Sequence, residues 1–134
     1  SVGKESQMRE LSARYSIPIA LDESLNGPIG KQWLDQDNWK GLFVIKPSAF
    51  GSIDILKNFF SKLGTRCIVS SSFETSIGLN CCLELVSSLR NNSFALGFDT
   101  QSVFYDDYSL KQSSPHLSLL KVKQHSKSII TNVF

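Results

Sequence analysis

Long hydrophobic runs are missing from this chain. No stretch approaches the roughly 20 apolar residues of a membrane span, and the first ten residues, SVGKESQMRE, are too polar for a signal peptide, so no membrane partner is expected. An excess of one charge is missing too. Lys and Arg number 14 against 12 Asp and Glu, a net charge of +2, and the basic residues are scattered apart from Lys121, Lys123 and Lys127. That pattern carries no nucleic-acid footprint. Histidine is scarce, and His116 and His125 lie in a polar stretch away from any strand end, so neither is expected to be catalytic. No Ser–His–Asp arrangement is visible, which argues against a nucleophilic serine. The three cysteines, Cys67, Cys81 and Cys82, are odd in number and lack x-x spacing, which excludes a disulfide framework or a zinc site and suggests free thiols in a reducing compartment.

What is present suits a globular domain. The chain has 134 residues, 41% apolar and 19% charged, enough for one core. Three short apolar runs each end in a polar residue about every 24 positions: IPIALD at Asp22, LFVIK at Lys46 and CIVSS at Ser71, with a weaker copy, FALGFD, at Asp99. Helical periodicity fills the gaps. It predicts helices over Lys4–Tyr15 (Met8, Leu11 and Tyr15 on one face), Lys31–Trp39, Ser52–Leu63 (Ile53, Leu56, Phe60 and Leu63), Thr75–Leu89 (Ile77, Cys81, Leu85 and Leu89) and Val103–Tyr108. Ser52 is an expected N-cap, Gly64 an expected C′ residue, and Asn91 and Asn92 an expected helix stop. Strands are predicted at Ile17–Leu21, Leu42–Lys46, Arg66–Ser70 and Phe94–Phe98, with a loop over 23–30. Alternating strands and helices imply an α/β fold with a parallel sheet and right-handed crossovers. The near-constant period favours a barrel, of which four units make half. A half-barrel exposes two apolar strand edges, so the expectation is a chain that pairs with itself or forms the C-terminal portion of a longer protein. Residues 1–108 are read as barrel and 109–134 as a tail, Ser- and Lys-rich with an apolar tip, that packs elsewhere on that protein.

In such folds the C-terminal ends of parallel strands carry the chemistry. Asp22 at a strand end suits a hard cation such as Mg²⁺, or simply caps the next turn. Lys46 follows Phe43, Val44 and Ile45 and precedes Pro47; its ammonium either points into a site, stabilising an anion or moving a proton, or snorkels to the rim. Ser71-x-x-Glu74 reads as a capping box for the following helix, and a capped helix start also binds an anion, a carboxylate better than a phosphate because the segment is not glycine-rich.

Taken together, IALDESL at 19–25, VIKPSAFGS at 44–52, SSSFETSIGL at 70–79 and GFDT at 97–100 resemble the fifth to eighth strand ends of the enolase superfamily's (β/α)7β barrel, on its menaquinone-pathway branch. The resemblance covers about residues 5–108. It implies a lyase that removes a proton α to a carboxylate, with Mg²⁺ (or Mn²⁺) stabilising the enediolate, and then dehydrates a cyclohexadiene carboxylate bearing a succinyl chain. By the resemblance, Asp22 is the third metal ligand and Lys46 the sixth-strand lysine that stabilises the enediolate. Ser70, Ser71 and Gly97 contact the substrate, and Glu23, Glu74 and Asp99 are supporting positions. The family's Lys-x-Lys strand, its first two metal carboxylates and its N-terminal capping domain have no counterpart here. The expectation is therefore a segment inactive alone, partnered by that capping domain and the first half of the barrel, in the cytoplasm or, in photosynthetic lineages, a plastid. Rival readings are an N-succinylamino acid racemase or dipeptide epimerase of the same superfamily, with Lys46 as one of two opposed bases, and a noncatalytic half-barrel binding an anionic metabolite. The Ser-Ser-Ser run weighs against the racemase, which carries Gly-Gly-Met-like residues there.

Overall fold

Three parallel strands form the centre of the structure, a computed structural model that describes residues 4–25, 39–89 and 96–98, with 121, 123–125, 127–128 and 131. The strands are β1 (Ala20–Leu21), β2 (Leu42–Ile45) and β3 (Cys67–Val69), in the order β1-β2-β3. Leu21 pairs with Phe43, and Ile45 with Val69. A parallel bridge from Ser70 to Gly97 extends the ladder beyond β3. Helix α1 (Glu5–Arg14) precedes β1, α2 (Ile53–Leu63) crosses from β2 to β3, and α3 (Ser76–Ser88) follows β3. This is the expected α/β alternation.

The core lies between the sheet and α2. Phe43, Ile45, Cys67 and Val69 turn inward at alternate strand positions and are buried, as a pleated strand requires. Leu56, Phe59, Phe60 and Leu63 meet them from α2. The Phe59 ring stands edge-on to Phe43 and to Phe50, each at 5.2 Å between centroids, the geometry that the ring quadrupole favours. Arg66 lies over the Phe43 ring at 5.3 Å and donates a hydrogen bond to the Trp39 carbonyl, which fixes the entry to β2. Gly41 belongs there because a Cβ would collide with the Ile19 carbonyl of β1's approach.

Several expected details differ. The first strand pairs only at Ala20 and Leu21; Ile17 is 72% exposed, next to a proline that has no N–H for a ladder. The predicted loop begins as a 3-10 turn over Glu23–Leu25 that buries Ser24 and Leu25. On α1 only Met8 packs against the core, while Leu11 and Tyr15 are exposed. On α2, Ile53 is exposed and Phe59 is buried. Gly64 keeps right-handed backbone (φ −55°), because the helix tightens into a 3-10 turn through Arg66. The face that α3 buries is Ser76, Leu79, Asn80, Cys82, Leu83 and Val86; Ile77 and Cys81 point outward.

The cysteines are free, and burial pushes the thiols of Cys67 and Cys82 up to about 12 and about 11. No helix among the described residues is long and apolar enough to cross a membrane. In the tail, Lys123, Gln124 and Lys127 line a cleft of about 570 Å³ with Glu84, Ser87 and Ser88 of α3. The predicted Lys31–Trp39 helix apart from Trp39, the Asn91–Asn92 stop, the start of the last strand, the Val103–Tyr108 helix, Asp99 and His116 lie outside the described residues.

Candidate active site

Parallel pairing puts the C-terminal ends of β1, β2 and β3 on one edge of the sheet, and the polar residues that follow each strand collect there. Asp22 directly follows β1 and Lys46 directly follows β2. Lys46 is held in extended backbone with Pro47 behind it, so its side chain starts from a fixed point. Its ammonium stands 2.7 Å from Asp22 Oδ1 and 3.3 Å from Glu23 Oε1. The 3-10 turn closed by the Leu25 N–H donating to the Asp22 carbonyl (3.0 Å) brings Glu23 back toward the lysine. Lys46 is 21% exposed and Asp22 36%. Asp22 Oδ1 itself is buried and has no well-directed hydrogen bond among the described residues, so the ammonium meets it as an ion pair. The Asp22 contact raises the Lys46 pKa against the opposing effect of burial, and Glu23 adds to the rise. A backbone N–H and the Lys46 ammonium hold the Glu23 carboxyl below its usual range. The Lys46 cation and the Glu23 anion are therefore both charged near neutral pH.

A second cluster forms one strand over. The Ser70 N–H donates to the Ile45 carbonyl (2.9 Å), so Ser70 is seated beside the residue that precedes Lys46. The Gly97 carbonyl accepts from the Ser71 N–H (3.0 Å), the Ser70 hydroxyl (3.0 Å) and, at 3.4 Å, the Ser71 hydroxyl. A Cβ on Gly97 would stand 3.0 Å from Ser70 Oγ, tight enough to push that hydroxyl aside. Ser70, Ser71 and Gly97 are thus brought together as a unit.

Glu74 behaves differently from its predicted role. The capping box does not form. Thr75 is the N-cap of α3, its hydroxyl accepting from the Gly78 N–H. Glu74 instead accepts from the Ser48 hydroxyl (2.7 Å) and the Ser72 N–H (2.6 Å), tying the segment after β2 to the one after β3. Ser71 lies four positions before Thr75, too early in the chain to cap α3, because the chain bends at Phe73 first.

Phe73 is the feature that pattern reading missed. It has φ 57°, in the left-handed region, and is 64% exposed. A bulky residue there is strained by about 1–2 kcal/mol, and no propensity signal marks it. Next to it, the Ser72 hydroxyl is buried and makes no hydrogen bond among the described residues.

A divalent-cation site needs several oxygen ligands. Among the described residues no three His, Cys, Asp or Glu side chains gather; Asp22 and Glu23 face Lys46 and Glu74 is held by Ser48 and Ser72. These residues by themselves do not fit a complete metal site.

Comparison with known proteins supplies relatives of known activity. The chain is 33% identical over 130 residues to the o-succinylbenzoate synthase of Vibrio cholerae serotype O1, covering 93% of this chain and 38% of that protein. It is 24% identical over 102 residues to the o-succinylbenzoate synthase of Mycobacterium tuberculosis, covering 76% of this chain and 31% of that protein. No family model and no solved structure matches the chain. It therefore spans about a third of the length of these curated relatives, which share the name o-succinylbenzoate synthase.

Proposed function

We propose that this chain forms the C-terminal strands of an enolase-type (β/α)7β barrel and serves an o-succinylbenzoate synthase. In that reaction 2-succinyl-6-hydroxy-2,4-cyclohexadiene-1-carboxylate loses the proton α to its carboxylate and then its hydroxyl as water, leaving the aromatic 2-succinylbenzoate. The observation that carries the reading is the placement of Lys46. A cation anchored at a strand end, beside a strand-end carboxylate and one strand from the Ser70–Ser71–Gly97 unit, is the arrangement such a reaction asks of these strands. In the reaction the Lys46 ammonium faces the negative charge that grows on the substrate carboxylate as the proton leaves. Ser70 and Ser71, whose hydroxyls are gathered at the Gly97 carbonyl, position the succinyl carboxylate. Glu74 keeps the loops after β2 and β3 in register. Asp22 would supply one carboxylate to Mg²⁺, which would contribute charge stabilisation; the remaining ligands and the acid/base that removes the proton would come from outside the described residues.

The incomplete ligand set favours a second reading, a noncatalytic domain that binds an anionic carboxylate. Titration of the chain with o-succinylbenzoate separates the two. The first reading expects binding that weakens about tenfold or more in Lys46→Met, the scale of one charge-assisted contact. Binding indifferent to Lys46 selects the noncatalytic reading. No binding rejects both. Turnover is expected only when segments supplying the missing ligands and base are added.

A further inference from the structure

We infer that Phe73 is a specificity-determining residue whose ring, held outward at the strand ends, packs against the six-membered ring of a bound carboxylate. The inference deepens the proposed function and rests on its placing of o-succinylbenzoate at this edge of the sheet.

Three observations converge. Phe73 carries φ 57° with its ring 64% exposed. Folding gains little from a bulky side chain in that state, since the backbone is strained and the apolar surface stays in water. The second observation is how the segment is moored. Before Phe73, the Ser71 N–H and the Ser70 hydroxyl both donate to the Gly97 carbonyl, each at 3.0 Å. After it, Glu74 accepts from the Ser72 N–H at 2.6 Å and from the Ser48 hydroxyl at 2.7 Å. The backbone is fixed from both sides, which is what keeps a strained residue in place. The third is position. Phe73 stands between Ser71 and the Thr75 cap of α3, and Ser48, to which Glu74 is tied, lies two residues beyond Lys46. Ring, serines and lysine therefore share one edge of the sheet. A strained, moored and exposed aromatic serves contact with something outside the core. An aromatic ring gains extra attraction from another planar ring, beyond the area it buries. Phe73 thus selects among carboxylates by the body that carries the charge.

The test compares affinities for o-succinylbenzoate and for pimelate, an aliphatic dicarboxylate of equal charge with as many carbons between its carboxylates. Phe73→Ala and Phe73→Asn are each expected to weaken o-succinylbenzoate binding about threefold to tenfold, the scale of one aromatic contact, and to leave pimelate binding unchanged. Phe73→Tyr should keep the native preference. The two truncations share only the loss of the ring, because Asn relaxes the backbone and Ala does not. Unequal effects therefore assign the change to the backbone and overturn the inference. A loss that falls equally on pimelate overturns it too, as does native product affinity in Phe73→Ala. Should pimelate not bind at all, the equality of the two truncations decides. Lys46→Met, measured alongside, keeps two failures apart. Product binding that depends on Lys46 but not on Phe73 sinks this inference alone. Binding that depends on Phe73 but not on Lys46 sinks the lyase reading and leaves this inference standing. No product binding by the native chain overturns both.

Discussion

Phe73 holds the one left-handed backbone among the described non-glycine residues, at φ 57°, with its ring 64% exposed. The strain is not repaid by burial, so it can be relieved. Asn tolerates the left-handed region better than other residues because its short amide bonds locally. Phe73→Asn is expected to raise stability by about 0.5–1 kcal/mol in denaturant melts, whereas Phe73→Ala, which keeps a Cβ at the same φ, should change little. Equal effects of both variants would mean that the ring, not the backbone, sets the energy. Lys46 presents the opposite case at this scale. Its position was readable from one strand's composition, because a lysine closing an apolar run before a proline has few places to go. Its partners were only half readable. Asp22 and Glu23 lie more than twenty positions away, and strand pairing alone decides that they meet the ammonium.

At the scale of elements, the alternation of strands and helices was legible because each strand is a short apolar run and α2 carries a clear apolar stripe. Faces and ends were less so. Of the spacing Ile77, Cys81, Leu85 and Leu89, Leu85 and Leu89 pack half-buried against the core, but Ile77 and Cys81 face outward and α3 buries Leu79, Cys82, Leu83 and Val86 most deeply. Local periodicity cannot choose between two apolar faces when both exist; the neighbours choose. The start of α3 was misjudged for a related reason. Ser71 and Glu74 match a capping box, but the bend at Phe73 moves the first turn onward, and Thr75 takes the cap. The consequence can be measured. Thr75→Ala should cost about 1 kcal/mol and speed hydrogen exchange at the Gly78 amide, the N–H that Thr75 satisfies. Thr75→Ser should restore both. Ser71→Ala should leave Gly78 exchange unchanged, which would fail if Ser71 were the true cap.

For the whole molecule, one aromatic cluster joins the core to the candidate site. Phe59 touches Phe43 from below the sheet and Phe50 beyond the end of β2, at 5.2 Å in each case. Along the chain, Lys46 falls between those two partners. The ring therefore supports both the sheet and the segment from which the lysine projects. Phe59 is fully buried while Ile53, on the same helix, is 53% exposed, although the sequence pattern had given the inward place to Ile53. Truncating a buried Phe costs about 3–5 kcal/mol, set against a total stability of roughly 5–15 kcal/mol for a domain. Phe59→Ala is thus expected to lower the melting temperature by on the order of 10 °C and, by loosening β2, to weaken o-succinylbenzoate binding even though the residue lies in the core. Ile53→Ala should move neither quantity appreciably. Comparable losses from the two variants would show that α2 sits on the sheet in a different rotation. The Phe43–Phe59–Phe50 cluster could then not be the support on which Lys46 depends.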